Sequence, residues 1–364
     1  MKTKCKLLVS IFILMLVVCC GKKSGKLEII NNPQSPDLEQ VQLDLIKTID
    51  LKDKIEDMAS WIVADEKVYF CSILQKSVTI LDFDGNVIKK LDSIGKGPGE
   101  FLMPQVIIND ERNSRIEVFD NMLRRNSYFT YDGEYMEDKM LPTTPMFIPQ
   151  DRKIFGEYDV EYIFRMNIKP DKIVMSPTIQ IVKPDTNIIL VTRDVDLNLA
   201  QMDVSQFAYA FACSDEYAYV SPITTDRYTI DVFNADGEKV KEIRKQFDKI
   251  KKSEEDITKM KEQFAEYERM SKDLGSDMKY DLSEYEYLTA VGYLAIDNKG
   301  NLWVGTAYAG GENYFDVINP KGKIIKKCNM DKDFIGIRFY NNKLIEVIKN
   351  PDDTYKMNIY EVNL

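Results

Sequence analysis

The sequence of 364 residues contains no histidine. This absence excludes Ser-His-Asp and Cys-His nucleophile systems, zinc sites with imidazole ligands, and general bases that use imidazole. Any chemistry must therefore use carboxylate, tyrosine or lysine side chains, or a hard metal ion bound by oxygen ligands. No catalytic constellation of these kinds is evident, so we expect a protein that binds rather than catalyses.

Cysteine is also scarce. The chain has six cysteines, of which three lie within the first 20 residues. The other three are far apart and stand beside strand-like residues: Cys71, Cys213 and Cys328. An odd and scattered set does not indicate a disulfide framework, and no Cys-x-x-Cys pair offers a zinc site built from cysteine alone. We predict that these three side chains are small apolar groups of the core.

Positive charge is in the minority. The 49 lysine and arginine residues are outnumbered by 59 aspartate and glutamate residues, which gives a net charge of -10. Proteins that bind nucleic acid present a basic face to the phosphate backbone, and no long basic cluster provides one in this chain. The composition therefore argues against a nucleic-acid partner.

The first 20 residues are typical of a targeting signal rather than of a folded domain. Lysines at positions 2, 4 and 6 precede an apolar run over residues 7–18, in which Ser10 is the only polar member. This run is too short to span a membrane and is typical of a secretory signal peptide. It ends in Val17-Val18-Cys19-Cys20-Gly21, which resembles the lipid-attachment signal of bacterial lipoproteins.

This resemblance implies that residues 1–19 are a signal peptide and that Cys20 carries a lipid, with Cys19 as the alternative acceptor. A plain cleaved signal peptide with two incidental cysteines is a further alternative. The residues after Cys20 are polar, and we predict a flexible tether over 20–39. The expected location is the cell envelope, with the protein anchored by lipid to the outer membrane and facing the periplasm or the cell surface.

A repeat dominates the rest of the chain. Turns rich in Asp, Asn, Pro and Gly separate apolar runs near residues 85, 133, 186, 237 and 322 and at 349–353. Asp-Gly between alternating apolar residues is typical of a β-hairpin. Further strand pairs are predicted at 61–64 with 67–70, at 211–213 with 217–220, and at 294–296 with 302–305.

A spacing of about 50 residues with four short strands per repeat is typical of a propeller blade. The sequence therefore predicts an all-β fold, a six-bladed β-propeller of four-stranded antiparallel blades over residues 40–364. An alternating strand at 41–46 is left over, and we expect it to complete the last blade and close the ring. A solenoid and an open sandwich are the alternatives.

One interval between turns is longer because it contains a predicted helix. Its apolar residues recur at intervals of three or four residues: Ile257, Met260, Phe264, Tyr267, Met270 and Leu274. Ser253 followed by Asp256 predicts the start of the helix, and Gly275 predicts its end. We predict a helical insertion over about 246–286, between the fourth and fifth blades. It is either decoration packed on the ring or a lid or docking element for a partner, with tyrosines on its return limb.

A dense turn, Gly95-Lys96-Gly97-Pro98-Gly99-Glu100-Phe101, is followed by Pro104. It lacks the Lys-Ser/Thr pair and the following helix of a phosphate-binding loop. The turn and the strands that follow it resemble the repeats of NHL-type propellers. With the leader, the chain resembles the six-bladed propeller lipoproteins of the NHL/TolB-like type that are common in Bacteroidota. This resemblance implies that six residues shape a joint between blades: Gly95, Gly97, Pro98, Gly99, Phe101 and Pro104.

Related six-bladed folds hold a metal ion at the central axis with Glu, Asn and Asp ligands. This relationship implies an alternative function, a calcium-dependent lactonase-like hydrolase or lyase at the axial pocket. The candidate oxygen ligands for this axial site are Glu100, Asp120, Asn121, Asp297 and Asn298. Because Asp and Asn beside a strand are also ordinary turn residues, we expect no cofactor other than this calcium ion.

The function that the sequence favours is a lipid-anchored binding module of the cell envelope. Its expected partners are the membrane, through the N-terminal lipid, and a protein, peptide or glycan ligand at one mouth of the ring. The 20 tyrosines of the chain provide the amphipathic contact area that is typical of binding surfaces.

Overall fold

The computed structural model describes residues 27–33, 38–143, 146–169, 172–197, 203, 207–273, 279–307, 313–331 and 333–364. The strands in these ranges form six sheets of four or five strands, which are the blades of a propeller. We number the blades in chain order. The prediction of a six-bladed, all-β propeller is confirmed.

The first three blades follow one another without interruption. Blade 1 consists of β3 (Ser60–Ala64), β4 (Lys67–Ser72), β5 (Ser77–Asp82) and β6 (Val87–Leu91). Blade 2 consists of β7 (Pro104–Asp110), β8 (Arg115–Asp120), β9 (Arg125–Thr130) and β10 (Tyr135–Met140). Blade 3 consists of β11 (Met146–Phe155), β12 (Tyr158–Ile168), β13 (Ile173–Val182) and β14 (Asn187–Thr192), with the short β15 (Val195–Asp196) on β13.

The other three blades include two strands from the N-terminal segment. Blade 4 consists of β16 (Tyr209–Cys213), β17 (Ala218–Pro222), β18 (Tyr228–Phe233), β19 (Lys239–Lys245) and, at its edge, β1 (Glu28–Asn32). Blade 5 consists of β20 (Tyr293–Ile296), β21 (Leu302–Ala307), β22 (Asn313–Ile318) and β23 (Ile324–Asn329). Blade 6 consists of β24 (Phe334–Tyr340), β25 (Lys343–Lys349), β26 (Tyr355–Asn363) and β2 (Gln42–Asp50).

The N-terminal segment crosses the outer edges of three blades. Strand β2 pairs with β26 in antiparallel fashion, which confirms that the leftover strand closes the ring through the last blade. Strand β1 pairs in parallel with β19 of blade 4, and Gln40 bridges to Lys327 of blade 5. The predicted tether over 20–39 therefore needs a correction, since residues 28–32 are a strand. Its backbone groups satisfy the open edge of blade 4.

Alternating strand directions give the ring two distinct faces. The loops that join the first strand of a blade to its second, and the third to its fourth, open on one face of the ring, which we call the turn face. The loops that join the second strand to the third, and one blade to the next, open on the other face, which we call the joint face. The strand pairs predicted for blades 1, 4 and 5 are confirmed as first and second strands.

The Asp-Gly turns of blades 1, 2 and 4 and the Lys-Gly turn of blade 5 all lie on the turn face. In each, the glycine has a φ near +80°, a backbone conformation that L side chains rarely adopt. A Cβ at Gly237 would lie 2.4 Å from Ile188 of the preceding blade, so glycine also permits close packing between blades. The turn at 349–353 differs, because it joins the second and third strands of blade 6. The fourth strand of that blade comes from the N-terminus.

The core lies between successive blades. Trp61 and Trp303 are buried in it, and the Trp303 indole donates a hydrogen bond to Asp297. Cys71 and Cys328 are buried, and burial raises the pKa of the Cys328 thiol to about 12. Cys213 is only half-buried, because it borders a cavity on the axis of the ring.

The helix α1 (Glu254–Asp273) lies in the chain between blades 4 and 5, as predicted. Ser253 Oγ accepts a hydrogen bond from the Asp256 amide and donates one to its carboxylate, which forms the predicted cap. The predicted end at Gly275 lies outside the described residues. In the part of the chain that the structure covers, no helix is both long and apolar enough to cross a membrane.

The apolar side of α1 packs on the segment that returns to blade 5. The Phe264 ring lies 4.9 Å from the Tyr280 ring and 5.3 Å from the Tyr285 ring, centroid to centroid. The return segment is fixed to blade 4, because Glu284 accepts a hydrogen bond from Thr225 and the Ala290 amide donates one to the Thr224 carbonyl. Phe264, a member of the predicted apolar stripe, therefore packs against the insertion's own return segment.

Candidate functional site

A cavity of about 310 Å³ lies at the axis of the ring. The innermost strands of blades 3, 4, 5 and 6 line it, namely β11, β16, β20 and β24. On the other side of the axis the innermost strands of blades 1 and 2 are joined, since the Ile107 amide donates a 2.8 Å hydrogen bond to Ser60 Oγ. The cavity is therefore displaced toward four of the six blades. Its volume is within the range of small-ligand sites, about 300–1,000 Å³.

Arg338 is the cation that distinguishes this cavity. Its Nη1 donates hydrogen bonds to the Tyr293 hydroxyl and, over 2.9 Å, to the Ile337 carbonyl. Its Nη2 donates one to the Trp61 carbonyl over 3.2 Å, and the guanidinium lies 4.7 Å above the Trp61 ring. All of these partners are neutral. Among the described residues no carboxylate forms an ion pair with Arg338, so its charge is left for a ligand.

The other charged groups of the cavity neutralise each other. Lys153 Nζ lies 2.8 Å from Asp151 Oδ2, and both side chains are half-buried on β11. The remaining wall is aromatic or aliphatic and includes Tyr209, Phe211 and Phe339. The cavity thus carries one uncompensated positive charge from Arg338 on a largely apolar wall. Such a site favours an anionic group, because a guanidinium binds carboxylate, sulfate or phosphate oxygens through charge-assisted hydrogen bonds.

A buried ion network lies beside this cavity, between blades 2 and 3. Arg152 contacts Glu117 Oε2 at 2.9 Å and Glu161 Oε1 at 3.0 Å. Burial alone lowers the pKa of Arg152, but the attraction of both carboxylates outweighs it and raises that pKa, so Arg152 stays charged. Burial raises the pKa of Glu117, and Arg152 opposes this rise in part. Because each charge in this network has a partner, we assign it a structural role.

Asp120, a predicted axial ligand, is engaged by backbone amides. Its buried carboxylate accepts hydrogen bonds from Leu102 at 2.7 Å, Met103 at 2.8 Å and Leu123 at 2.8 Å. The neighbouring Asn121 amide donates to the Met103 carbonyl. Asp120 ends strand β8 and Asn121 begins the turn that follows it, so both lie on the joint face. The Asp120 carboxylate and the Asn121 amide hold the segment at 102–103 in place.

Asp297 has the same kind of role on the opposite face. One of its carboxylate oxygens accepts hydrogen bonds from the amides of Lys299 and Asn301, both at 2.9 Å, and the other accepts from Trp303. Asn298 contacts the Asn342 side chain. Both predicted ligands follow the first strand of blade 5 and lie on the turn face. The structure therefore does not bring Asp297 and Asp120 together.

Glu100 lies on the joint face, where its Oε2 accepts a 2.6 Å hydrogen bond from the Gly97 amide. None of the five predicted ligands lines the axial cavity. Within the described ranges, no three Asp, Glu, His or Cys side chains are placed to hold one metal ion. The predicted lipid acceptors Cys20 and Cys19 lie outside the described residues.

The glycine-rich turn lies within residues 92–103, which connect β6 of blade 1 to β7 of blade 2. We call this segment the blade 1–2 joint. Arg125 donates hydrogen bonds to the carbonyls of Lys96, Gly97 and Glu100, at 3.2, 2.7 and 2.6 Å. A loop that points carbonyl oxygens at an arginine does not cradle a phosphate. Gly99 has a φ of +69°, and Pro98 is exposed.

The apolar end of the joint is a plug between two blades. Phe101 is 0% exposed and packs among residues of blades 1 and 2, with its ring 5.8 Å from the Phe129 ring. Pro104 is the first residue of β7 and is buried. Gly95 and Gly97 both lie close to the Glu100 carboxylate. The joint is therefore held by contacts within the protein.

Sequence reasoning missed the residues that line the axial cavity. Arg338 lies in the middle of an inner strand, flanked by Ile337 and Phe339, and belongs to no motif. The signal that could have found it is a charged residue inside a first strand of a blade, where the side chains of a propeller approach the axis. Asp151 and Lys153 give the same signal in blade 3.

Comparisons with known proteins agree with this architecture. A family model, DUF5128, described as a 6-bladed beta-propeller, matches residues 52–294. No curated protein matches the sequence.

Several solved structures are similar to the chain at low identity. A putative exported protein from Bacteroides fragilis is 11% identical, with 92% of this chain and 100% of that chain covered and a TM-score of 0.47. A member of the DUF4221 family from Bacteroides vulgatus is 11% identical, with 90% and 99% covered and a TM-score of 0.48. A calcium-binding protein, regucalcin, from Agrobacterium tumefaciens is 11% identical, with 92% and 96% covered and a TM-score of 0.46.

Proposed function

The chain belongs to the DUF5128 family of six-bladed β-propellers, and we propose that it is a binding module of the bacterial cell envelope. In this proposal the lipid on Cys20 holds the protein at the membrane. The axial cavity receives an acidic group of a protein, peptide or glycan ligand. The NHL/TolB-like lipoprotein type that the sequence resembles is part of the same proposal.

One observation carries the binding function, the uncompensated charge of Arg338 in the axial cavity. Four neutral groups hold its guanidinium in place: the Tyr293 hydroxyl, the carbonyls of Ile337 and Trp61, and the Trp61 ring. A cation fixed before the ligand arrives loses little conformational freedom on binding, which favours affinity. The paired Lys153 and Asp151 do not compete for the ligand's charge.

Binding is tested by thermal shift and calorimetry with a panel of acidic glycans, acidic peptides and simple carboxylates, each compared with its neutral analogue. We expect the acidic ligands to bind the wild-type protein and to bind the Arg338→Gln variant at least about tenfold more weakly. Arg227→Gln, which removes an exposed arginine, is the matched control. Equal binding of acidic and neutral members, or no effect of Arg338→Gln, would contradict the proposal.

The envelope location is supported by the leader, in which a basic start and an apolar run precede Cys19 and Cys20. Metabolic labelling with palmitate tests the anchor in wild type, Cys20→Ala and Cys19→Ala. We expect only Cys20→Ala to lose the label and to leave the membrane fraction. If the label persists in Cys20→Ala and disappears in Cys19→Ala, the lipid is attached to Cys19. A wild-type protein without label is a plain secreted protein.

The alternative is a calcium-dependent hydrolase or lyase of the lactonase-like type. Its predicted ligands Asp120 and Asp297 lie on opposite faces and accept hydrogen bonds from amides and an indole. Metal analysis of the purified protein and melting with and without calcium test this alternative. We expect no bound calcium and no shift in melting temperature. Stoichiometric calcium that is lost in Asp120→Asn would favour the enzyme.

A further inference from the structure

A second, apolar cavity adjoins the axial one. It has a volume of about 400 Å³ and lies between blades 3 and 4, toward the joint face. Its lining comes from β12 and β13, from the residue after β15, and from the start of β16 with the residues just before it: Tyr162, Phe164, Met175, Leu197, Phe207 and Tyr209. We call it the side pocket. Neither the sequence motifs nor the family description assigns it a role.

The side pocket and the axial cavity share two wall residues, Tyr162 and Tyr209. Their rings meet at right angles with centroids 6.3 Å apart. The Tyr162 hydroxyl donates its hydrogen to the Phe207 carbonyl, so it offers the cavities an aromatic surface rather than a free donor. Burial raises the pKa of Tyr162, which keeps this hydroxyl protonated. Tyr162 and Tyr209 thus border both cavities.

The chemistry of the side pocket selects among ligand classes. Its lining is almost entirely aromatic and aliphatic, and its one buried hydroxyl is already bonded. A peptide or a glycan placed there would bury amide or hydroxyl groups without partners, which is costly. An acyl chain or an aryl ring has no such groups and gains from leaving water. The pocket therefore favours a purely apolar occupant.

We infer that the axial cavity and the side pocket form one bipartite site for a small amphiphilic anion. The acidic group of the ligand binds Arg338, and its acyl or aryl body fills the side pocket past Tyr162 and Tyr209. This inference rests on the proposed function for the role of Arg338. It goes further by assigning the ligand's apolar part and by favouring a lipid-like or aryl acid over a peptide or a glycan.

Decanoate is the first probe, and its binding to the full mature chain is measured by calorimetry below its micellar concentration. Decan-1-ol keeps the chain and lacks the charge, whereas acetate keeps the charge and lacks the chain. Because the site needs both parts, we expect decanoate to bind at least about tenfold more tightly than either analogue. Equal affinity for decanoate and decan-1-ol, or for decanoate and acetate, would overturn the inference.

Two variants separate the two halves of the site. Arg338→Gln should weaken the binding of decanoate at least about tenfold and leave the binding of decan-1-ol unchanged, because only decanoate carries the charge. Met175→Asp places a carboxylate in the side pocket and should weaken both. The matched controls are Arg227→Gln and Ile168→Asp. Arg227 is exposed, and Ile168 is 63% exposed on the same hairpin as Met175 but outside the pocket. We expect wild-type affinities from both controls.

Circular dichroism establishes that each variant is folded. If Arg338→Gln does not fold, Arg338→Lys keeps the charge and should keep the preference for decanoate over decan-1-ol. Loss of that preference in folded Arg338→Lys would contradict the role assigned to the charge at this position. Unchanged decanoate binding in Met175→Asp removes the side pocket from the site. Acidic glycans or peptides that bind through Arg338 while decanoate does not would refute this inference and leave the proposed function standing. No binding by any acid refutes both.

Discussion

The blade 1–2 joint and the axial cavity are both rich in groups that bind anions or cations, but they use them differently. At the joint, the carboxylates of Glu100 and of Asp120 from β8 accept hydrogen bonds from backbone amides of the joint, and Arg125 of β9 donates to three of its carbonyls. In the cavity, Arg338 also donates to neutral groups but has no carboxylate partner within the described chain. The joint is chemically closed, whereas the cavity is open to a ligand.

The difference shows how to weigh a charged residue in a propeller. The backbone amides of loops are not hydrogen-bonded within a sheet and need other acceptors. Asp and Asn side chains of the loops serve as these acceptors and are then not available to a ligand. Inner strands are paired along one edge only, and the Trp61 and Ile337 carbonyls on these strands accept hydrogen bonds from Arg338. These neutral acceptors leave the positive charge of Arg338 available for other uses. We therefore expect variants in the joint to change stability without changing ligand affinity, and variants in the cavity to do the reverse.

Phe101→Ala should have the largest effect on stability. Removing a fully buried aromatic ring from the contact between two blades leaves a cavity, and such changes cost about 4 kcal/mol of unfolding free energy. Urea unfolding of the mature chain measures the loss. Ile94→Ala, in the same joint but 60% exposed, is the control and should cost less than about 0.5 kcal/mol. A loss below about 1 kcal/mol for Phe101→Ala would show that the joint does not depend on this ring.

Asp120→Asn should follow, at about 2 kcal/mol. The amide that replaces one carboxylate oxygen faces a backbone N–H, so a buried donor is left without an acceptor. The urea midpoint should fall while the slope of the transition stays constant. Asp92→Asn, an exposed change in the joint that Asp120 contacts, should have no effect. A stable Asp120→Asn with reduced decanoate affinity would instead give Asp120 a role in binding.

Gly97→Val should cost about 1 kcal/mol. A Cβ at this position would lie 2.9 Å from the Glu100 carboxylate, which must move and give up its hydrogen bond to the Gly97 amide. Lys96→Val, at an exposed neighbouring position, is the control. Thermal unfolding and decanoate titration of the same samples compare the two properties. A folded Gly97→Val with unchanged stability and lost binding would reverse the assignment of the joint.

The smallest expected effect is at Glu346, a buried carboxylate whose hydrogen bonds come from side chains. It accepts hydrogen bonds from Asn358 at 3.1 Å and Tyr360 at 3.0 Å, and burial raises its pKa despite them. A raised pKa means that the folded state binds the proton more tightly than the unfolded state does. Stability therefore falls as the pH rises from about 4.3, the ordinary glutamate pKa, through the folded pKa.

Glu346→Gln should remove this pH dependence. We expect Glu346→Gln to be more stable than wild type by less than about 1 kcal/mol at neutral pH, and this difference to shrink toward pH 4, measured by urea unfolding at several pH values. Glu361→Gln, an exposed change on the neighbouring strand, should leave the curve as in wild type. A Glu346→Gln variant that is less stable than wild type at neutral pH, by an amount that shrinks toward pH 4, would show that the ionised carboxylate stabilises the fold.

The fold was predictable because its signals are local and repeated. Asp-Gly turns fix the hairpins, and the helical period marks the insertion between blades 4 and 5. The alternating strand near the N-terminus identifies the closing strand β2. Strand β1 was not predicted, because its partner β19 is more than 200 residues away and a polar segment before a domain is usually a tether.

The candidate site was not predictable to the same extent. Four blades contribute to the axial cavity, and no spacing in the sequence relates Lys153, Tyr293 and Arg338 to one another. The predicted ligands Asp120 and Asp297 have the right chemistry for calcium, but the direction of their strands sends them to opposite faces. A motif search identifies residue types and spacings. The composition of the site depends instead on the strand to which each residue belongs and on the end of that strand at which the residue lies.

The closing strand also determines the order in which the molecule can be completed. Thr48 of β2 donates a hydrogen bond to Asn358 of β26, a partner 310 residues later in the chain. Blades 1, 2, 3 and 5 are built from neighbouring hairpins and can form as soon as their residues are available, but blade 6 needs both ends of the chain. Until the last strand is made, β2 has no partner and its edge is open to other chains. Ring closure therefore has to wait for the last strand of the chain, and a chain shortened at its C-terminus would expose β2 as a site for exchange between copies.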